Sequence, residues 1–264
     1  MTTFKNTQPA AIWRPAMLAV LLLFVFSCKD DEPVDDVCEK WEYEGVTGPD
    51  HWMSLCDDYA DCNGIFQSPV NLTGALFDPS LKALALQYTD LETDIVFNGH
   101  TIEFDTEKGN STLTLNGASY KLLQFHFHTH SEHAIEGVHT PLELHLVHQH
   151  AATGNRVVVG VLFEEGAENA FLSAFMDHLP TSSSPHYQSS EQYNPADVLP
   201  TNRSYYTYPG SLTTPPCTQN VIWYVLAQPV EASPEQIHHF ETVMHENSRP
   251  LRPLQERAIR FFEE

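Results

Sequence analysis

Basic residues are scarce: 13 Lys and Arg stand against 35 Asp and Glu in 264 residues, a formal net charge of −22 at pH 7. So acidic a balance argues against nucleic acid as a partner, because phosphate recognition needs a basic face. The acidic residues are scattered (Asp57-Asp58, Glu164-Glu165, Glu263-Glu264), the pattern of a solvated surface. No C-x-x-C pair occurs among the five cysteines, which disfavours a cysteine zinc site. No repeat or linker interrupts the run from Trp41 to Glu264, so a single domain with a substantial core is expected over 41–264. Long apolar runs are also missing. The longest, Ala16 to Phe26, falls short of the roughly 20 residues needed to span a bilayer.

That run instead reads as part of a leader covering 1–27, with Lys5 and Arg14 as its positive start. It ends in Val25-Phe26-Ser27-Cys28, which resembles a lipobox in which Cys28 is lipidated after cleavage. Residues 28–40 then form a polar tether. Its Lys29-Asp30-Asp31-Glu32 resembles the export signal that sends some lipoproteins to the outer face of a bacterial outer membrane. The expected location is that membrane, on its surface or periplasmic face, through a lipid anchor. The alternative is ordinary cleavage and a free periplasmic or secreted protein. Loss of 1–27 leaves eleven basic against 35 acidic residues, a net charge of −24. It also leaves Cys38, Cys56, Cys62 and Cys217, an even set that suits disulfides in an exported chain and allows three pairings.

Short β-like segments dominate the rest. Asn98-Gly99 and Asn116-Gly117 each separate two strand-like runs and predict hairpins. Val157 to Phe163 and Val221 to Leu226 are continuous apolar runs, expected as central strands. Two helices are predicted. Ser233-Pro234-Glu235-Gln236 is a capping-box start followed by an Ile237, Phe240, Met244 stripe, and Glu168 to Leu179 carries Phe171, Phe175 and Leu179. Thr181 to Pro209, rich in Pro, Ser and Tyr, reads as a long surface loop. The expected fold is mainly β (α+β), a large, mostly antiparallel twisted central sheet with peripheral helices.

The most informative stretch is Gln124-Phe125-His126-Phe127-His128, with Glu143-Leu144-His145-Leu146-Val147 further on. As strands of period two, they put Gln124, His126 and His128 on one face, and Glu143, His145 and Val147 on one face. If the strands are neighbours, three imidazoles converge. Three neutral His ligands leave one tetrahedral position open, the arrangement of a catalytic rather than a structural zinc. Gln124 and Glu143, two residues before a His on its own face, are placed to accept the other ring N–H and fix the tautomer.

Taken in order, Trp41-x-Tyr43, Gly48-Pro49, Trp52, Gln67-Ser68-Pro69 and Asn98-Gly99-His100 lead into Gln124 to His128 and Ser131-Glu132-His133. Glu143-Leu144-His145, Gly210-Ser211-Leu212-Thr213-Thr214-Pro215-Pro216, Trp223 and Asn247-Ser248-Arg249-Pro250 complete the series. From Trp41 to Arg257 the chain resembles an α-class carbonic anhydrase. The resemblance implies Zn²⁺ on His126, His128 and His145, and reversible CO₂ hydration to bicarbonate and a proton through a zinc-bound hydroxide. It gives Glu132 and Thr213 the orientation of that hydroxide, and Thr214 the substrate contact. Val147, Val158, Leu212 and Trp223 become the apolar wall that receives CO₂. His100 becomes the proton shuttle, with Asn98 ordering water beside it. It also implies a Cys62–Cys217 bridge, leaving Cys38 and Cys56 as a second pair, and inhibition by sulfonamides and anions. A homodimer through a sheet edge or the N-terminal segment is compatible with this reading.

Three departures from the family pattern bear on the proton route. Glu103 stands where an amide is common and is expected to raise the pKa of His100 or divert water. Thr129-His130 replaces a Thr-Pro, and Gln219 an acidic residue. The other histidines, His133, His139, His148 and His150 among them, receive no role. Two rival readings exist. His126-x-His128-x₃-Glu132 resembles the first metal motif of cupins, with Glu132 as ligand and iron as metal. A non-catalytic binding module on the same fold is the other, but such modules usually lack a zinc histidine.

Overall fold

The computed structural model describes residues 1–3, 38–106 and 108–264. The chain divides into two compact units, Met1–Asp35 and Asp36–Glu264, and every element described here lies in the second. Most of the leader, Cys28 and most of the tether fall outside the described residues.

The strands in chain order are β1 (Asn71–Leu72), β2 (Leu76–Phe77), β3 (Ala85–Gln87), β4 (Asp94–Phe97), β5 (Ile102–Asp105), β6 (Thr112–Leu115), β7 (Ala118–His128), β8 (Ala134–Ile135), β9 (Leu142–Gln149) and β10 (Arg156–Glu165). After helix α1 (Ala170–Ser173) come β11 (His186–Gln188), β12 (Tyr205–Ser211), β13 (Gln219–Leu226) and β14 (Val230–Ala232), then helix α2 (Pro234–Met244) and β15 (Arg260–Phe262). One 13-stranded sheet runs β11-β4-β5-β7-β9-β10-β13-β12-β15-β2, with β14 beside β10 and β6 joining β3 to β7. It is mixed rather than purely antiparallel: β10 pairs in parallel with β13 and β14, and β15 with β2. The long crossover between β10 and β13 is what permits a parallel pair.

Period two sorts the central strands into two faces. Phe125, Phe127, Leu144, Leu146, Val157, Val159 and Val161 join the main core, and onto them pack Phe171 and Leu172 of α1 and Ile237, Phe240 and Met244 of α2. The Phe127 and Phe240 rings lie 4.6 Å apart, a contact whose truncation to Ala costs about 3–5 kcal/mol. The opposite face carries the candidate ligands beside a second cluster containing Val147, Val158, Leu162, Val221, Trp223 and Val225. Local signals fix the edges. Asn116 and Gly117 take φ of 49° and 82°, the left-handed pair that a tight hairpin between β6 and β7 needs. Ser233 and Gln236 form the capping box of α2, each side chain bonding the other's backbone N–H, worth about 1 kcal/mol.

Two expectations fail. The predicted helix Glu168 to Leu179 is only Ala170–Ser173 plus a 3₁₀ turn at Met176–His178, broken at Phe175. Phe171, Phe175 and Leu179 are nonetheless buried, and Phe175 packs 4.7 Å from Phe104, so tertiary packing overrides the helical period. The predicted loop Thr181 to Pro209 contains β11, a 3₁₀ turn and most of β12. Pro209 obscures that strand in the sequence. It is tolerated because β15 pairs β12 only at Tyr205 to Thr207, leaving no β15 partner opposite the proline.

His148 points to the core side of β9, fully buried, with Tyr88 Oη 2.9 Å from its Nε2. Burial lowers its pKa to about 4. The unfolded chain, near 6.5, therefore takes up a proton between pH ~6.5 and ~4 that the folded chain refuses. Stability from this residue is complete above pH ~6.5 and declines towards pH ~4 by on the order of 3 kcal/mol. Urea unfolding at both ends of that window should show His148→Gln losing less stability on acidification than the wild type; equal losses would exclude His148 as the acid-sensitive group.

Candidate metal centre

Strands β7 and β9 are neighbours, and their register sets His126 opposite His145 and His128 opposite Glu143. One donor atom from each of His126, His128 and His145 falls within a 4.8 Å group. The remaining ring nitrogens are all committed to oxygen acceptors. His126 Nδ1 lies 2.8 Å from Gln124 Oε1, His128 Nδ1 2.8 Å from the Asn247 carbonyl, and His145 Nε2 2.9 Å from Glu143 Oε1. An acceptor at one nitrogen puts the proton there and leaves the other as a bare lone pair. His126 Nε2, His128 Nε2 and His145 Nδ1 thus face inward as donors. Burial, then the neighbouring imidazoles, hold His126 well below its ordinary pKa, and burial likewise lowers His128. Both stay neutral, as metal ligands must.

Two buried atoms here lack a hydrogen-bond partner among the described residues: His128 Nε2 and Glu132 Oε2, 3.5 Å apart. A desolvated lone pair facing a desolvated carboxylate is costly unless something positive or proton-bearing lies near them. The donor set therefore fits a divalent cation, and three neutral nitrogens fit zinc. Glu132 is not among the three-donor group, and its Oε1 accepts from the Arg249 amide at 2.9 Å. That argues against the cupin reading.

Behind the ligands runs a buried chain that the sequence left without a role. His133 Nδ1 lies 2.7 Å from Glu143 Oε1, its Nε2 is 2.6 Å from Tyr208 Oη, and Tyr208 donates to Ser68 Oγ at 2.9 Å. Burial opposes ionisation of Glu143, yet His133 and His145 hold its carboxyl well below the ordinary range. Asn247 is the second omission. It receives His128 through its carbonyl, accepts from the Thr129 amide at 2.8 Å, and donates to the carbonyls of His100 and Phe127. Arg249 is the third. Almost wholly buried, it donates to Gln67 Oε1 and the Ser68 and Cys62 carbonyls. The signals are present as Ser131-Glu132-His133 and Asn247-Ser248-Arg249, but their partners lie as far as 75 residues away for His133 and 187 for Arg249.

A family model described as "Eukaryotic-type carbonic anhydrase" matches residues 47–263. The chain belongs to the carbonic anhydrase family. It is 38% identical over 230 residues to a carbonic anhydrase of Klebsiella pneumoniae, covering 86% of this chain and 93% of that one. Among solved structures it resembles the Photobacterium profundum α-carbonic anhydrase, with TM-score 0.77, 39% identity and coverage of 83% and 99% of the two chains. It also resembles the Thermovibrio ammonificans α-carbonic anhydrase in complex with the inhibitor sulfanilamide, with TM-score 0.80, 37% identity and coverage of 85% and 99%.

Around this carbonic anhydrase centre, Trp223 stands 4.7 Å from the rings of both His133 and His145 and donates to the Ser211 carbonyl. Val147 and Val158 are buried in the same cluster, and Leu212 packs against it. Thr213 is buried and Thr214 half-buried in the turn after β12, which Leu212 and Cys217 amides close onto Thr218 and Thr214. Disulfides join Cys62 to Cys217 and Cys38 to Cys56. Such bonds fit an exported chain. No helix among the described residues is long and apolar enough to cross a membrane.

His100 sits at the β4–β5 turn, where Asn98 Oδ1 accepts from the amides of His100 and Thr101. These bonds fix the Asn98 oxygen in the turn. The His100 ring stacks on Trp41 with centroids 3.6 Å apart. Burial lowers its pKa, opposed by Glu42 and not by Glu103, so the expected lift from Glu103 is absent. Glu103 accepts instead from Gln124 Nε2 at 3.3 Å. Gln219 Oε1 accepts from the Phe66 amide at 3.0 Å.

Proposed function

We propose that the protein catalyses the reversible hydration of CO₂ to bicarbonate and a proton at a zinc held by His126, His128 and His145. The observation that carries this reading is the set of three inward lone pairs, each enforced by an oxygen acceptor on the opposite nitrogen. Zinc bound there supplies Lewis acidity that brings the pKa of a water to about 7, a value that belongs to carbonic anhydrases as a class. The chain's own residues do the rest. Glu132 Oε2, which has no other hydrogen-bond partner among the described residues, would accept a hydrogen bond from the Thr213 hydroxyl and leave the Thr213 oxygen as an acceptor facing the centre. Trp223, Val147, Val158 and Leu212 offer CO₂ a dry wall, and Thr214 holds the bicarbonate. The same centre accepts anions and sulfonamides; the sulfanilamide complex of the Thermovibrio protein supports this. Residues 1–27 act as leader, Cys28 as lipid anchor and 28–40 as tether to a bacterial outer membrane, and the two disulfides support export.

The decisive test is stopped-flow CO₂ hydration before and after chelation. Activity should disappear on stripping and return with one equivalent of Zn²⁺. A folded, zinc-loaded protein without hydration activity would contradict the proposal.

His100 carries the product proton outward. Because burial holds its pKa below 6.5, its neutral, proton-accepting form persists into mildly acidic solution. His100→Ala should slow turnover in dilute buffer roughly 10-fold or more, leave zinc content unchanged, and be rescued by imidazole. Unchanged turnover in dilute buffer would remove His100 from this role.

A further inference from the structure

Gln124 has two polar ends, and the structure uses both. Its Oε1 lies 2.8 Å from His126 Nδ1, and its Nε2 donates to Glu103 Oε2 at 3.3 Å. The register of β5 and β7 explains why these three side chains meet. Glu103 is the direct partner of His126, and Gln124, two residues earlier on β7, is its diagonal neighbour on the same face. Glu103 is half-buried, so its contact with the amide is partly screened from water.

An amide can turn over, exchanging donor and acceptor at almost no steric cost. An ionised carboxylate cannot, since it only accepts. If Gln124 were reversed, its Oε1 would confront the Glu103 carboxylate, acceptor against acceptor. Its NH₂ would then face His126 Nδ1, which would have to carry the lone pair. The His126 proton would move to Nε2, the nitrogen that must be bare to bind a metal. His128 and His145 do not depend on such a relay. Their acceptors are a main-chain carbonyl and a carboxylate, neither of which reverses in this way.

We infer that Glu103 is a positioning residue that locks the Gln124 amide and thereby sets the metal-binding tautomer of His126. The inference rests on the zinc reading above, but it makes a claim about the metal-free protein that zinc binding does not decide.

The test is ¹⁵N-resolved NMR of the His126 ring in the metal-free full chain, paired with zinc affinity from chelator competition. Wild type should hold the proton on Nδ1. Glu103→Lys replaces the acceptor by a donor, so Gln124 should turn, the proton should move to Nε2, and zinc affinity should fall roughly 10-fold or more. Glu103→Gln substitutes an amide that can itself turn over, so the lock should loosen and the His126 proton should divide between Nδ1 and Nε2, well short of the shift in Glu103→Lys. Adding Gln124→Glu to Glu103→Lys restores an acceptor facing His126, and should return both the tautomer and most of the affinity. An Nδ1 proton that persists in Glu103→Lys would overturn the inference. So would an equal shift in Glu103→Gln, which would make charge rather than hydrogen-bond polarity the cause. If the wild type shows the Nδ1 tautomer yet takes up no zinc, the zinc reading fails and the Glu103 relay stands.

Discussion

Replacing His126 by alanine should lower CO₂ hydration by roughly 10³-fold or more, about 4 kcal/mol of transition-state stabilisation. Two imidazoles remain in that variant, and an open-site zinc needs three protein ligands. The fold should survive. His126 is half-buried on the site face of β7, whereas the packing that holds the strand is on the opposite face, through Phe125 and Phe127. Metal content and stopped-flow hydration should therefore fall together while the unfolding midpoint of the metal-free protein barely moves. Retention of both zinc and activity would remove His126 from the ligand set.

Cys62→Ala combined with Cys217→Ala should give the largest loss of stability. The bridge spans 155 residues, and on the chain-entropy account a loop of that length is worth about 5 kcal/mol. The Cys38–Cys56 bridge spans 18 residues and on the same account is worth about 3 kcal/mol. The long bridge also anchors the turn that carries Thr213 and Thr214 to the segment before Gln67 and Ser68. Arg249 reinforces the same corner through the Cys62 and Ser68 carbonyls and stacks over Trp52 at 5.2 Å. Urea unfolding of the two double variants should rank the Cys62–Cys217 loss above the other, and hydration should weaken only where the Thr213 turn is released. The reverse ranking would show that the loop-length account does not govern this protein.

What was legible in the sequence is what local physics dictates. The alternation in Gln124 to His128 and in Glu143 to Val147 places side chains by period alone, and the β7–β9 register completes the triad. The Asn116-Gly117 turn and the Ser233 capping box are likewise local and recur as expected. What was not legible depends on distant partners. His133 looks like any other histidine until Glu143 and Tyr208 close around it. Asn247 gains meaning only when β7 presents His128 to its carbonyl. The apolar spacing of Phe171, Phe175 and Leu179 is equally valid for a helix and for a broken turn, and the aromatic cluster around Phe104 decides between them. Chain proximity couples Glu103 to His100, whereas the sheet turns it towards Gln124.

Anomalous diffraction at the zinc edge, from crystals of the protein loaded with one equivalent of Zn²⁺, tests the centre most directly. Among the described residues two groups have the spacing to hold a metal: His126, His128 and His145, and next to them His133, Glu143 and His145. Only the first has its inward lone pairs free, because the hydrogen bonds between His133, Glu143 and His145 occupy the second. A single strong peak bounded by His126 Nε2, His128 Nε2 and His145 Nδ1 is the predicted result. A peak among His133, Glu143 and His145, or none in a protein that still hydrates CO₂, would contradict the account.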